Sequence, residues 1–146
     1  MPGATLATIG YERATLDGVI EKLQGAGVAL VIDVRAVAAS RRPGFSKSML
    51  AASLDQSGIG YRHLRDLGTP KAGREAARAG RTGEMRQIFA AHMEEPAAQR
   101  ALAEAAHLAR DQACALLCYE AEARHCHRAI VAELIQAREG IEIVNL

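Results

Sequence analysis

The chain has 146 residues, 49% hydrophobic and 24% charged, with a net charge of +1. That length suits one domain around one core, the composition is that of a globular protein, and the balanced charge gives no bulk electrostatic reason for a polyanionic partner. Aromatics are only 3% and Trp is absent, so the core rests on Ala, Val, Leu and Ile.

Strand 5–9, "TLATI", opens the pattern and ends at Gly10. "TLDGVIEKLQGAG" (15–27) repeats Leu16, Val19, Ile20 and Leu23 at helical spacing, with Thr15 as cap. "VALVIDVR" (28–35) is a continuous apolar run up to Asp33, as in a strand buried on both faces of a parallel sheet. A second helix follows over 46–58 with Ser46 as its cap, then a short strand, "GYRHL" (60–64). Residues 65–82 are punctuated by Gly68, Pro70, Gly73 and Gly80 and read as a basic loop in which "REAARA" forms a helical turn. Helices are predicted over 82–94 and 96–110, a buried strand over 113–119, an amphipathic helix over 125–138 and a last strand over 141–146. The order predicts a single α/β domain over 1–146, with a mainly parallel sheet of about five strands flanked by helices in a Rossmann-like three-layer arrangement.

The near-neutral sum hides a gradient. Between Arg35 and Arg86 eleven Lys/Arg face four Asp/Glu. This basic middle suits a phosphate or another anion, or else a solvated loop. Three cysteines is an odd number, and no apolar run approaches the roughly 18 residues of a membrane span. A reducing cytoplasm is the expected home, with thiols free or ligating rather than stapled.

In an open α/β sheet, ligands bind outside the carboxyl ends of the strands. The segments leaving those ends carry Tyr11, Asp33, Arg35, Arg41, Arg42, Lys47, Cys118, Glu120, Cys126, His127 and Arg128. Asp33 and Arg35 fall on one side of their strand and either orient a substrate or pair with each other. "SRRPGFSK" supplies two arginines, a Pro-Gly turn, a helix start and Lys47, a modest anion cradle that matches no P-loop. No GxGxxG is present either.

"CYEAEARHCHR" (118–128) allows three chemistries. Cys126 at a helix start beside His127 and Arg128 has the setting of a lowered-pKa nucleophile, with Cys118 able to resolve it. Cys118, Cys126 and His125 or His127 offer zinc or iron three ligands, but no CxxC or HxxxH pair is present. Buried cysteines are also ordinary core residues, the reading that suits Cys114. Ala132 stands sixth after Cys126, so a Cys-x5-Arg cradle is not supported, and CxxC redox motifs are absent.

Thr8-Ile9-Gly10-Tyr11, Asp33-Val34-Arg35, Ser40-Arg41-Arg42, Leu67-Gly68 and Cys118 with Cys126-His127-Arg128, in this order, resemble the DUF488 family of bacterial and archaeal proteins. The resemblance implies an α/β fold and a site including Asp33, Arg35, Cys118, Cys126, His127 and Arg128. Many members have His where this chain has Tyr11. The family is one of unknown function, and the resemblance implies no reaction.

The preferred expectation is a cytoplasmic enzyme acting on an anionic ligand such as a nucleotide or nucleic-acid component. Cys118, Cys126, His127 and Asp33 would be catalytic; Tyr11, Arg35, Arg41, Arg42, Lys47 and Arg128 would bind the anion. A non-catalytic nucleotide or nucleic-acid binding module and a zinc or iron protein are the alternatives. No cofactor, resident metal or membrane partner is expected, and the sequence leaves the oligomeric state open.

Overall fold

A computed structural model describes residues 5–146. Five strands form one parallel sheet: β1 (Thr5–Gly10), β2 (Leu30–Asp33), β3 (Gly60–His63), β4 (Cys114–Cys118) and β5 (Glu142–Asn145). Their spatial order is β3-β2-β4-β1-β5. The connections are helical: α1 (Leu16–Gly25), α2 (Lys47–Gln56), α3 (Lys71–Arg78), α4 (Thr82–Met93), α5 (Pro96–Asp111) and α6 (His127–Glu139). Among the described residues no helix is long and apolar enough to cross a membrane.

The alternation of side chains along each strand sorts the core into two layers. Leu6, Leu30, Ile32, Cys114 and Leu116 pack on one face with Phe89 of α4, Leu102 of α5 and Val131 of α6. Ala7, Ile9, Val31, Ala115 and Leu117 pack on the other with Val19 and Leu23 of α1 and Leu50 and Leu54 of α2. β4 is buried along its whole length, as its unbroken apolar run requires. The buried positions of α5 are mostly alanines, including Ala98, Ala101, Ala105 and Ala109, which supply small side chains where large aromatics are scarce.

Thr15 caps α1, its hydroxyl accepting from the Gly18 N–H at 3.0 Å. Ser46 is at the start of α2, as expected, but its hydroxyl does not cap the helix. It donates to the Ser40 carbonyl at 3.1 Å and accepts from the Ser40 N–H at 3.0 Å, closing the 40–46 loop on itself. The basic segment after β3 is not an extended loop with one turn. A 3₁₀ turn at Arg65–Leu67 leads into α3, a full eight-residue helix. Its sequence hides this because Gly68, Pro70, Gly73 and Gly80 punctuate the segment as a loop would, although only Gly73 and Ala76 of the helix are buried.

The topology dictates where a crevice opens. The chain leaves β1 and β2 toward α1 and α2 on one face. It leaves β4, which lies between them, toward α6 on the other. Neighbouring strands whose connections diverge to opposite faces open a gap at their carboxyl ends. Register brings Gly10 level with Cys118 and Asp33 level with Leu117, so the segments after β1, β2 and β4 meet at that gap.

Candidate functional site

A cavity of about 810 Å³ occupies the gap, within the size range of small-molecule sites. Cys118, Cys126 and His127 line it together with Tyr11, Arg35 and Arg41. Asp33 and Arg128 stand directly behind its wall and do not line it.

Asp33 and Arg35 resolve as a pair. Arg35 Nε and Nη2 donate to the two Asp33 carboxylate oxygens at 2.9 and 2.6 Å, a bidentate fork. Asp33 also accepts from the Arg35 N–H at 3.1 Å and the Tyr61 hydroxyl at 2.5 Å. Its oxygens are thus committed to protein donors, and the carboxylate has no direct access to a ligand. Burial works against the Arg35 charge, but the bonds and charge of Asp33 outweigh it and hold the guanidinium more firmly protonated than usual. Arg35 Nη1 donates to the Tyr11 hydroxyl at 3.1 Å and the Phe45 carbonyl at 2.7 Å. Of its five N–H groups, one on Nη2 has no partner among the described residues, and Arg35 borders the cavity. Tyr11 is clamped, stacked on Phe45 at 4.4 Å between centroids and edge-on to Tyr119 at 5.4 Å.

Cys118 closes β4 and Cys126 is the N-cap of α6. Their side chains meet as a disulfide, so these two sulfurs are joined where the sequence predicts free or ligating thiols, because the end of β4 and the start of α6 converge. Cys114 is the free thiol. His127 fixes its own tautomer: Nε2 lies 2.7 Å from the Val34 carbonyl, which can only accept, so Nε2 carries the proton. Nδ1 then presents its lone pair 3.6 Å from the Cys126 sulfur. Burial pushes the imidazole down to about 4, which the Val34 bond only partly offsets, so the ring is neutral at pH 7.

Arg128 is almost fully buried, at 1% exposure. It donates from Nη1 to the Cys118 sulfur at 3.3 Å and to the Glu120 carbonyl, and from Nη2 to the Ala121 carbonyl at 3.1 Å. Burial lowers its guanidinium to about 10, with Glu120 opposing, so it stays charged at neutral pH. Its backbone N–H also points at the Cys126 sulfur, at 3.5 Å. Burial pushes the Glu120 carboxyl above its ordinary range, and its Oε2 is 3.5 Å from the Cys118 sulfur. Each sulfur therefore faces an N–H donor of Arg128, and that of Cys118 faces the Glu120 carboxyl as well.

Two expected anion binders stand elsewhere. Arg42 donates to the Tyr11 and Ala14 carbonyls and borders a smaller hollow beside Phe45. Lys47 is exposed in the first turn of α2 and lines neither cavity. Arg74 and Arg78 line the large cavity; they belong to the basic segment that the sequence marks for an anion, although no single residue of it could be chosen from the sequence. They are four apart on α3, hence on one helix face, a juxtaposition that an extended loop would not make. Arg41, Arg74 and Arg78 make no ion pair with a carboxylate among the described residues. Glu12 and Glu120 are the acidic members of the lining.

Residues 15–135 match the family model described as "Domain of unknown function DUF488". The chain belongs to the DUF488 family. The matched span includes both cysteines, His127 and the Asp33–Arg35 pair, while Gly10 and Tyr11 precede it. No curated protein and no solved structure matches the chain. Family membership thus brings no reaction to this DUF488 chain, and its chemistry has to be argued from the donors in the cavity: two sulfurs, a neutral imidazole and a ring of arginines.

Proposed function

We propose that this DUF488 protein is a cytoplasmic enzyme that binds a small anionic ligand in the cavity and acts on it through the Cys118–Cys126–His127 cluster. One observation carries the reading. Arg41, Arg74 and Arg78, unpaired with any carboxylate among the described residues, border the same cavity as the cluster. Guanidinium groups without carboxylate partners around a concave site favour phosphate or carboxylate groups. The cavity volume suits a nucleotide-sized ligand.

The roles divide by position. Arg35, held by Asp33, Tyr11 and the Phe45 carbonyl, offers its free N–H as a rigid contact. Asp33 is then a positioning residue. Arg41 and Arg78 supply the adjustable charge, and Arg74 is steadied by donating to the Thr69 carbonyl at 2.9 Å. Cys118, Cys126 and His127 are the reacting end, and Arg128 supports both sulfurs from behind.

Alkylation of the reduced protein tests the reading. Cys118 and Cys126 are expected to react at neutral pH, and inorganic phosphate or a nucleoside phosphate to slow that reaction. Rates indifferent to every anion tried, together with no anion binding by calorimetry, would sink it.

A further inference from the structure

We infer that Cys118, Cys126 and His127, once the cysteines are reduced, bind a divalent metal ion of the zinc class, with a fourth coordination position open to the cavity. The sequence spacing offers no close ligand pair, and the fold supplies what the spacing lacks. The end of β4 and the start of α6 bring the two Sγ atoms and His127 Nδ1 within 4.8 Å of one another. Zinc–sulfur bonds of about 2.3 Å and zinc–nitrogen bonds of about 2.0–2.1 Å place tetrahedral donors roughly 3.5–4 Å apart. Small side-chain rotations bring this set onto one ion.

Three further observations fit a metal better than a permanent bridge. First, the backbone holds the two cysteine Cα atoms 7.5 Å apart, wider than the roughly 4.4–6.8 Å usual for disulfides; two thiolates sharing an ion sit farther apart than two bonded sulfurs. Second, both sulfurs receive N–H donors, Arg128 Nη1 on Cys118 and the Arg128 backbone N–H on Cys126. Such donors suit negatively charged sulfur. Third, the Nε2–H of His127 is anchored on the Val34 carbonyl at 2.7 Å. Ligating imidazoles are oriented in this way by a carbonyl or carboxylate on the far nitrogen.

All three donors border the cavity, so the fourth position faces the arginine ring. Three protein ligands with one open position is the arrangement of catalytic rather than structural zinc. Loading is balanced simply. A phosphine opens the disulfide by giving two electrons and becoming a phosphine oxide with the oxygen of a water, whose two protons go to the sulfurs. A dithiol gives two electrons and its own two protons and becomes a disulfide. Binding of the ion then releases both thiol protons. Only the occupant of the fourth position, water or the anionic ligand, rests on the function proposed above; the metal does not.

The test uses the full chain, reduced with a phosphine under anaerobic conditions. Cobalt(II) is expected to bind at one equivalent, giving a thiolate-to-cobalt charge-transfer band that zinc(II) abolishes. Zinc is also expected to protect Cys118 and Cys126 from alkylation in the unmutated protein, a readout that needs no variant. Cys118→Ser and Cys126→Ser should remove the band, and His127→Ala should weaken zinc binding by more than about 10-fold. A reduced protein, folded by circular dichroism, that shows neither band nor protection overturns the inference. Equilibrium dialysis with inorganic phosphate separates the two proposals. Phosphate bound without any metal binding sinks the metal alone, whereas metal bound without any anion sinks only the anionic-ligand reading.

Discussion

The Glu120 carbonyl oxygen occupies the space where a Cβ on Gly10 would stand. A methyl group placed there would lie 1.7 Å from that oxygen and 2.9 Å from Arg128 Nη1. Glycine at the end of β1 therefore lets the loop after Cys118 close over the strand, and Arg128 clamps the loop through the Glu120 and Ala121 carbonyls. Gly10→Ala forces this backbone apart. The expected cost is roughly 1–3 kcal/mol in urea unfolding, the range of overpacked interiors, with altered alkylation rates at Cys118 and Cys126. Unchanged stability and unchanged rates would show that the loop has room to shift.

Gly68 has the same relationship to Ala36, whose backbone N would lie 2.2 Å from an added Cβ. Gly68→Ala is expected to displace the segment after Asp33, and with it Arg35. A crystal structure of the variant with Arg35 in place would refute this.

The buried Asp33–Arg35 fork makes single and double replacements differ. Asp33→Asn leaves a buried guanidinium without its counter-charge and should cost on the order of 3–5 kcal/mol. Asp33→Asn combined with Arg35→Met is expected to cost clearly less than the sum of the two single changes. Chemical denaturation of all four proteins in a double-mutant cycle measures the coupling, and additive effects would count against the fork.

Tyr61 gives this pair a signature at high pH. Burial first, then its bond to Asp33 and that carboxylate's charge, push the Tyr61 hydroxyl well above its ordinary value of 10.0. The folded state thus keeps a proton that the unfolded chain releases. Stability contributed by Tyr61 is full below pH 10 and falls as pH rises beyond it. Tyr61 should ionise late, as read from tyrosinate absorbance, and Tyr61→Phe should remove that late step.

Arg74 and Arg78 are the arginines on which the function proposed here most depends. Each lies on a helix with little buried surface, so Arg74→Gln with Arg78→Gln should leave the fold intact. Phosphate or nucleotide affinity is expected to fall at least about 10-fold, as for the loss of two charged hydrogen bonds at roughly 1 kcal/mol or more each. Calorimetric titration decides, and unaltered affinity would move the anion elsewhere.

Cys114 is the internal control for every thiol experiment. Burial alone pushes its thiol up to about 11, so it stays protonated and shielded at pH 8. Mass spectrometry after native alkylation should find it unmodified, and denaturation should expose it.

The sequence by itself determined the layers. The unbroken apolar run of β4, the helical spacing of Leu16, Val19 and Leu23, and the capping position of Thr15 are local signals, because strand burial and helix amphipathicity are written at short range. Position after a strand end was enough to mark Tyr11, Arg35, Cys118 and Cys126 for one rim. The tertiary structure alone decided the rest. It turned Asp33 inward onto Arg35 and Tyr61, sent Arg42 to backbone carbonyls, left Lys47 in solvent, and brought Arg74 and Arg78 to the cavity on a helix that the basic segment concealed. Each of these outcomes depends on which donor meets which acceptor across the fold. Pairings between residues as far apart as Val34 and His127 are set by the register of β2 against β4 and the placement of α6, and no local pattern encodes them.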